Sequence, residues 1–192
     1  MNANDTKTPL PAGVHLTKSE TPSPTNSRTE YQQLISTLLY AALGTRPNIA
    51  FAVTQLSRFN SDPTEEHMRY AKYVLRNLKG TKLLQICYDR SSNAGLMVYS
   101  DSDWGQNNYD HHSTLGQVFT LANSTISWAS QHQKMVALSV EESEYMELTS
   151  ANHQCAWLRS FSVEIGFPST QAMMICVDNQ AAIFLAINPA VE

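Results

Sequence analysis

The spacing of apolar residues changes about 80 residues into the chain. Between residues 31 and 80, apolar side chains recur every three or four positions, which predicts helices. Prolines and glycines mark the helix ends, and the pattern predicts three short helices over 31–44, 47–59 and 63–79. Residues 1–30 instead combine four prolines with many Ser, Thr and Asn residues, so we expect a flexible arm with little regular structure.

Beyond Gly80 the pattern changes to short runs typical of strands. The predicted strands cover 83–88, 96–100, 117–122, 125–129 and 172–177, and the predicted helices cover 140–165 and 180–187. Strands followed by alternating helix and strand favour one mixed sheet with helices packed on it. The predicted fold class is therefore α/β, in the sense of an α+β mixed sheet.

Composition narrows the class of protein. With 192 residues and 42% hydrophobic content, the chain can form one or two domains with a buried core. No apolar run approaches 18 residues and the N-terminus lacks a secretory signal pattern, so we expect an intracellular protein without a membrane partner. The three cysteines include no CxxC pair, which argues against a disulfide framework or a zinc site.

Charge is distributed unevenly along the chain. The overall net charge of −4 divides into 0 for residues 1–45, +4 for 46–90 and −8 for 91–192. A basic middle suits phosphate binding and an acidic C-terminal part suits metal binding. The alternative for the basic part is an ordinary solvated face.

The third predicted helix carries two neighbouring stripes at the same spacing. The apolar stripe, predicted to pack inward, contains Met68, Ala71, Leu75 and Leu78. The basic stripe, predicted to face solvent, contains Arg69, Lys72, Arg76 and Lys79. Four cations along one side of a helix of about 24 Å either follow a phosphate backbone or cover an apolar rim with their stems.

Two aspartates end the strand-like run at 96–100. Asp101 and Asp103 lie two residues apart, so in a strand they point to the same face, where either can meet a metal ion. The alternative is an ordinary turn, in which aspartate is favoured because its side chain bonds to nearby backbone.

The start of the helix at 140–165 separates two glutamates by their direction. Ser139 and Glu142 have the spacing of a capping box, which gives Glu142 a structural role. Glu144 instead lies on the helix face of the later apolar residues, so it is predicted to point inward. A carboxylate there needs a partner or a cation, unless it bends outward at the first turn.

Asp178 ends the last predicted strand and precedes the last helix. It is either the N-cap of that helix or a ligand beside the strand end. One carboxylate does not easily serve both purposes, because the two roles direct its oxygens differently.

Together, these acidic positions belong to an ordered series of motifs. The series runs YSDSDW (99–104), DHHSTLGQVF (110–119), ISWASQHQ (126–133), ALSVEESEYMEL (137–148) and VDNQAAIFLAIN (177–188). It resembles the ribonuclease H domain at the end of the polyprotein of Ty1/copia-type retrotransposons. Residues 31–82 resemble the segment before that domain, the end of reverse transcriptase and its connection. Several ordered blocks are more specific than a single motif.

The resemblance implies a domain order, a site and a substrate. It implies a flexible arm over 1–30, a helical connection or thumb-like segment over 31–80, and over 81–192 a ribonuclease H-like three-layer domain. Its catalytic carboxylates correspond to Asp101, Glu144 and Asp178, with Asp103 either assisting or only orienting. They would hold two Mg²⁺ or Mn²⁺ ions and cleave the RNA strand of an RNA–DNA hybrid. Contacts to the minor groove would come from Gln131, His132 and Gln133, where an ordinary polar turn is the alternative.

The resemblance also sets the expected partners and a limit. The partners are the hybrid and the rest of a Pol polyprotein, including reverse transcriptase and integrase, in a cytoplasmic virus-like particle or the nucleus. The chain has no YxDD polymerase motif, and past Asn188 and Pro189 it lacks the family's further segment with a fourth carboxylate, a last strand and a helix. We therefore expect a domain incomplete at its C-terminus, which is either an active ribonuclease or an inactive polyprotein remnant that at most binds nucleic acid weakly.

Overall fold

A computed structural model describes residues 5–18, 25–92, 95–103, 113–133, 139–168 and 172–188. Contacts divide the chain into two units, residues 1–86 and residues 87–192, and each is described by itself.

The first unit is helical. It contains α1 (Thr25–Gly44), a 3-10 turn (Pro47–Ile49), α2 (Ala50–Ser57) and α3 (Glu65–Gly80). The three predicted helices are confirmed, with Pro47 opening a 3-10 turn that leads into α2. Because α1 begins at Thr25, the expectation of little regular structure is wrong for residues 25–30.

The core of this unit forms where the three helices meet. Tyr31 is fully buried, and its hydroxyl donates a hydrogen bond of 2.7 Å to the carbonyl oxygen of Leu56, which ties α1 to α2. Burial raises the pKa of the Tyr31 phenol. The other buried members of the core are Ile35, Leu38, Ala42, Ile49, Ala52, Val53, Leu56, Ala71 and Val74.

The buried face of α3 differs from the predicted apolar stripe. Its buried residues are His67, Ala71, Val74 and Asn77. Leu75, predicted to pack inward, is 39% exposed, so the helix is turned by about one residue from the predicted orientation. Two polar side chains can occupy this face because each makes a hydrogen bond, which lowers the cost of burial, although Oδ1 of Asn77 has no partner.

His67 forms the N-terminal cap of α3 together with Thr64. The Thr64 backbone N–H donates to Nδ1 of His67 (3.0 Å), and the His67 backbone N–H donates to the Thr64 hydroxyl (3.2 Å). The imidazole also stacks on Phe59, with ring centroids 3.9 Å apart. Burial lowers the pKa of His67. The carboxylates of Glu66 and Asp62 and a backbone hydrogen bond with Thr17 raise it, but they do not outweigh burial.

Residues 5–18 pack against the helices of this unit without forming a helix or strand. Asn77 donates a hydrogen bond of 3.0 Å to the carbonyl oxygen of Thr6, and Leu10 and Leu16 pack on the core. At Gly80 an added Cβ would lie 2.8 Å from the Cβ of Asp5, so only glycine fits beside this segment. This part of the predicted flexible arm is therefore held by specific contacts.

The second unit contains a mixed four-stranded sheet. Its strands are β1 (Met97–Asp103), β2 (Thr114–Leu121), β3 (Ser124–His132) and β4 (Met174–Cys176), in the order β3-β2-β1-β4. The pairs β1–β2 and β2–β3 are antiparallel, and β1–β4 is parallel. The helices are α4 (Val140–Glu164) and α5 (Gln180–Ile187). The predicted mixed sheet with helices is confirmed.

The strand predicted at residues 83–88 is wrong, since these residues form no strand. A turn follows α3, and no described strand pairs with this apolar run. The side chains of Leu83 and Leu84 are therefore left 86% and 57% exposed. At the end of this segment, the Tyr88 hydroxyl donates a hydrogen bond to the carbonyl oxygen of Thr125 (2.9 Å). The Asp89 backbone N–H donates one to the carbonyl oxygen of Ala122 (3.2 Å). These two bonds attach the segment to the β2–β3 hairpin without a strand ladder.

The core of the second unit lies between α4 and the middle of the sheet. Val98 and Phe119 from β1 and β2 pack with Ala151, Cys155 and Leu158 of α4. Within the described ranges, no helix combines the length and the apolarity needed to cross a membrane.

The cap of α3 makes the stability of the first unit dependent on pH. The folded-state pKa of His67 is lowered, so its contribution is present above the unfolded value of about 6.5 and is lost as pH falls below it. We expect acidification from pH 7.5 to 5 to cost about 1 kcal/mol, the worth of a helix cap. In His67→Gln, an amide oxygen can accept from Thr64 without titrating, so this loss should largely disappear.

The measurement is urea unfolding followed by far-UV circular dichroism at a series of pH values. His15→Gln is the matched control, because His15 is exposed in the same unit. An equal pH dependence in the wild type and in His67→Gln would contradict this account of the cap.

Candidate metal centre

The pairing of β1 with β4 brings two aspartates to one edge of the sheet. These strands are parallel, with Tyr99 opposite Cys176. Asp101 and Asp178 each lie two residues beyond that pair, so both occur at the carboxyl ends of neighbouring strands. Both are exposed, which leaves their carboxylates accessible from solvent.

Glu144 reaches the same place from α4. The hydroxyl of Ser139 accepts a hydrogen bond of 3.1 Å from the Glu142 backbone N–H and fixes the start of the helix. Glu144, in the second turn, is only 5% exposed, as its helical position predicts. The exposed Glu142 lies on the other side of the helix.

One carboxylate oxygen from each of Asp101, Glu144 and Asp178 lies within 4.8 Å of the other two. Three carboxylates from three elements form a set of hard oxygen donors suited to Mg²⁺ or Mn²⁺. One oxygen of Glu144 is buried without a hydrogen-bond partner, so it is available to bind a cation. The residues therefore fit a divalent ion.

The electrostatics around Glu144 also favour binding of a cation. Burial raises the pKa of Glu144, and the nearby carboxylates of Asp101 and Asp178 raise it further. The hydroxyl and backbone amide of Ser102 act in the opposite direction but do not outweigh these effects. A cation between the three groups would relieve their repulsion and favour the ionised form of Glu144.

The alternative role of Asp178 as a helix cap is taken by its neighbour. The side-chain oxygen of Asn179 accepts hydrogen bonds from the backbone N–H groups of Ala181 (2.9 Å) and Ala182 (3.0 Å). Because Asn179 caps α5, the carboxylate of Asp178 can face the other two acids.

The remaining predicted site residues of this unit have mixed placements. The backbone of Asp103 ends β1, and its side chain lies outside the described part of the chain. Gln131 is exposed near the end of β3, and His132 is partly buried. Gln133 is buried, and its amide donates to the carbonyl oxygen of Ser143 (3.3 Å) and to its hydroxyl (3.2 Å). Gln133 therefore holds the first turn of α4, a placement that does not fit the predicted minor-groove contact.

The basic stripe lies on α3, in the first unit, where Arg69, Lys72 and Lys79 are exposed and Arg76 is half-buried. Two of its members have acidic partners. Arg69 pairs with Glu66 at 2.7 Å, and Lys79 pairs with Asp5 at 3.5 Å. Arg76 lies over the ring of Tyr73, 4.8 Å from its centroid. These placements agree with either interpretation of the stripe.

The sequence pattern did not single out one acidic residue of this unit, Glu147. It is fully buried one turn after Glu144, and neither carboxyl oxygen has a hydrogen-bond partner. Burial raises its pKa to about 7. The side chain of Gln117 lowers this pKa, and the nearby carboxylates of Glu144 and Asp101 raise it further. The Gln117 amide also donates a hydrogen bond of 2.7 Å to the Ser150 hydroxyl. The available signal was the spacing, because residues three apart share a helix face.

Known proteins similar to this chain include polyproteins of plant transposons. The chain is 38% identical over 161 residues to the retrovirus-related Pol polyprotein from transposon RE1 of Arabidopsis thaliana, covering 84% of the chain and 11% of that polyprotein. It is 35% identical over 192 residues to the corresponding polyprotein from transposon TNT 1-94 of Nicotiana tabacum, covering 97% and 14%. Secreted RxLR effector protein 161 of Plasmopara viticola is 39% identical over 128 residues, covering 67% of the chain and 90% of that protein. No protein-family model matches the chain.

The mixed four-stranded sheet and its helices define an α/β protein of ribonuclease H-like fold. The chain belongs to the Pol polyproteins of copia-type retrotransposons, because such polyproteins align with most of its length. It spans 11–14% of the length of the RE1 and TNT 1-94 polyproteins.

The buried carboxyl of Glu147 gives a second pH-dependent prediction, for the protein without divalent ions. Its folded-state pKa of about 7 exceeds the ordinary value of 4.5, so the folded state binds this proton more tightly than the unfolded chain. Destabilisation by Glu147 therefore grows as pH rises from about 4.5 to about 7 and is constant above. We expect Glu147→Gln to raise the free energy of unfolding by about 1–3 kcal/mol at pH 8, and by less at pH 5.

The measurement is urea unfolding in EDTA followed by tryptophan fluorescence, which reports on the second unit because all three tryptophans lie in residues 87–192. Glu142→Gln removes the same charge from an exposed position of α4 and should show no such pH-dependent gain. A gain for Glu147→Gln that is the same at pH 5 and pH 8 would exclude the buried carboxyl as its cause.

Proposed function

We propose that this chain is the ribonuclease H part of a retrotransposon Pol polyprotein and hydrolyses the RNA strand of RNA–DNA hybrids. One observation carries the proposal: in a chain of this family, Asp101, Glu144 and Asp178 come from three separate elements and place carboxylate oxygens within 4.8 Å of one another. Clustered carboxylates that bind divalent ions are the usual apparatus for phosphodiester hydrolysis.

The three acids have different parts in this proposal. Glu144 is buried and would anchor the ions from the protein side, while the exposed Asp101 and Asp178 would hold them next to an approaching phosphate. Two bound Mg²⁺ ions would supply an activated water and charge stabilisation of the leaving oxygen. Asn179 and Ser139 keep the ligands in place by capping α5 and α4, so that little reorganisation is needed when the ions bind.

The substrate class follows from what the chain can recognise. A site of carboxylates and ions binds the backbone phosphate and reads no base, so selectivity for a hybrid must come from the shape of the duplex and from 2′-hydroxyl groups. The basic stripe of α3 would add sequence-independent affinity for phosphates. Because Arg69 and Lys79 already pair with acids, we assign this role first to Lys72 and Arg76.

The alternative is an inactive remnant of the polyprotein that binds nucleic acid weakly. Both forms share the family and the fold, and they differ only in the chemistry at the three carboxylates. Affinity for the hybrid without cleavage would favour the remnant.

The central test is cleavage of a hybrid carrying a label on the RNA strand, with Mg²⁺ and with EDTA. We expect the full chain to cleave the RNA strand only with the divalent ion. Asp101→Asn keeps the shape of the side chain but removes its charge, and it should lower the rate at least about a hundredfold, because several kcal/mol of charge stabilisation depend on the ions. Glu142→Gln is the matched control on an exposed position and should cleave normally.

Three results would count against the proposal. Cleavage that survives Asp101→Asn would show that the carboxylate cluster is not the active site. Cleavage in EDTA would exclude the divalent ion. A hybrid that is bound by the folded wild type but never cleaved would leave the remnant as the better description.

A separate prediction concerns the basic stripe. Replacing Lys72 or Arg76 with glutamine should weaken binding of a hybrid and reduce the slope of log affinity against log salt by about one for each phosphate that is no longer neutralised. The measurement is fluorescence anisotropy at several salt concentrations. Lys82→Gln is the control, because Lys82 follows the end of α3 and is not part of the stripe. An unchanged salt slope in Lys72→Gln and Arg76→Gln would show that the stripe is an ordinary solvated face.

A further inference from the structure

Glu147 is the most unusual side chain in the described part of the second unit. It is fully buried between α4 and the sheet, and neither carboxyl oxygen has a hydrogen-bond partner. Removing a carboxylate from water is costly, and proteins compensate with a raised pKa, an ion pair or a bound cation. The source of a counter-charge for Glu147 therefore bears on function.

The protein itself offers no nearby cation within the described residues of α4. Arg159, the basic residue of that helix, is exposed and twelve residues farther along, about 18 Å at 1.5 Å per residue. The charged groups that act on Glu147 are Glu144 and Asp101, both acidic and both members of the candidate metal centre. Glu147 is thus coupled to the centre by repulsion, which a divalent ion would reverse.

Its position indicates how it would act. The carboxylate oxygens within 4.8 Å of one another come from Asp101, Glu144 and Asp178, and Glu147 is not among them. It lies one helical turn behind Glu144 on the same buried face. Glu147 is therefore placed to act on the ions through the field and through Glu144, without direct coordination.

We propose that Glu147 is a positioning residue of the metal centre, which supplies a fourth negative charge from behind Glu144 and strengthens the binding of divalent ions. The inference rests on the metal centre of the proposed function. It gives a role to Glu147, whose carboxyl is not part of the cluster formed by Asp101, Glu144 and Asp178. A purely structural Glu147 would affect the stability of the fold and leave ion affinity unchanged.

The test is isothermal titration of the full chain with Mn²⁺ at pH 8, where the carboxyl is ionised. Wild type should bind Mn²⁺, and Asp101→Asn should abolish this binding. Glu147→Gln should weaken it about tenfold, at the lower end of the effect of removing partners behind metal ligands. Glu142→Gln, which removes an equal charge from an exposed position of the same helix, should change the affinity by less than about twofold.

Folding is checked by circular dichroism for each variant. If Glu147→Gln does not fold, Glu147→Met, which is similar in length and uncharged, takes its place. Glu147→Asp keeps the charge and should retain more affinity than either uncharged variant, a rescue that a packing role does not predict.

The outcomes separate the two proposals. Wild-type binding that Asp101→Asn abolishes and Glu147→Gln leaves unchanged would overturn the role of Glu147 and leave the metal centre standing. An absence of Mn²⁺ binding in the wild type would overturn the metal centre itself, and with it this inference. If Glu142→Gln and Glu147→Gln weaken Mn²⁺ binding equally, the effect comes from the net charge of the protein, and the proposed role of Glu147 is overturned.

Discussion

The second unit depends on one electrostatic constraint: three carboxylates converge within 4.8 Å, and one of them is buried. Such a cluster opposes folding unless protons or cations neutralise it, and burial together with Asp101 and Asp178 raises the pKa of Glu144. The surrounding structure tolerates this cost because the acids are held by regular elements. The parallel pairing of β1 with β4 fixes the two aspartates, and the packing of α4 on β1 fixes the glutamate.

Much of the fold could be predicted from periodicity, because helices and strands bury side chains at different intervals. The prediction failed where burial depended on partners distant in sequence. His67 and Asn77 face the core of the first unit, where Thr17 bonds to His67 and Thr6 bonds to Asn77. The run at 83–88 has strand-like composition but no strand to pair with, and composition cannot reveal a missing partner.

In the site too, placements set by local helix geometry could be predicted, and placements set by contacts distant in sequence could not. The placement of Glu144 inside the protein followed from helix geometry, since its neighbours on one face of α4 are apolar. The sequence analysis left Asp178 as either a cap or a ligand, and residue type did not decide it, because the Asn179 that caps α5 belongs to an equally good class of caps. The burial of Gln133 and Glu147 depends on how closely α4 approaches the end of β3 and on the position of Gln117, neither of which periodicity specifies.

The buried histidine of the first unit and the buried glutamates of the second differ in their partners, and this contrast supports a functional role for the acids. In the first unit, His67 is buried and both its ring and its backbone amide have partners that hold α3. In the second unit, both oxygens of Glu147 and one of Glu144 are buried without a partner. A purely structural core would gain stability by replacing these carboxyls with apolar groups. Their position next to two exposed aspartates is the arrangement that a divalent cation would complete in the proposed metal centre.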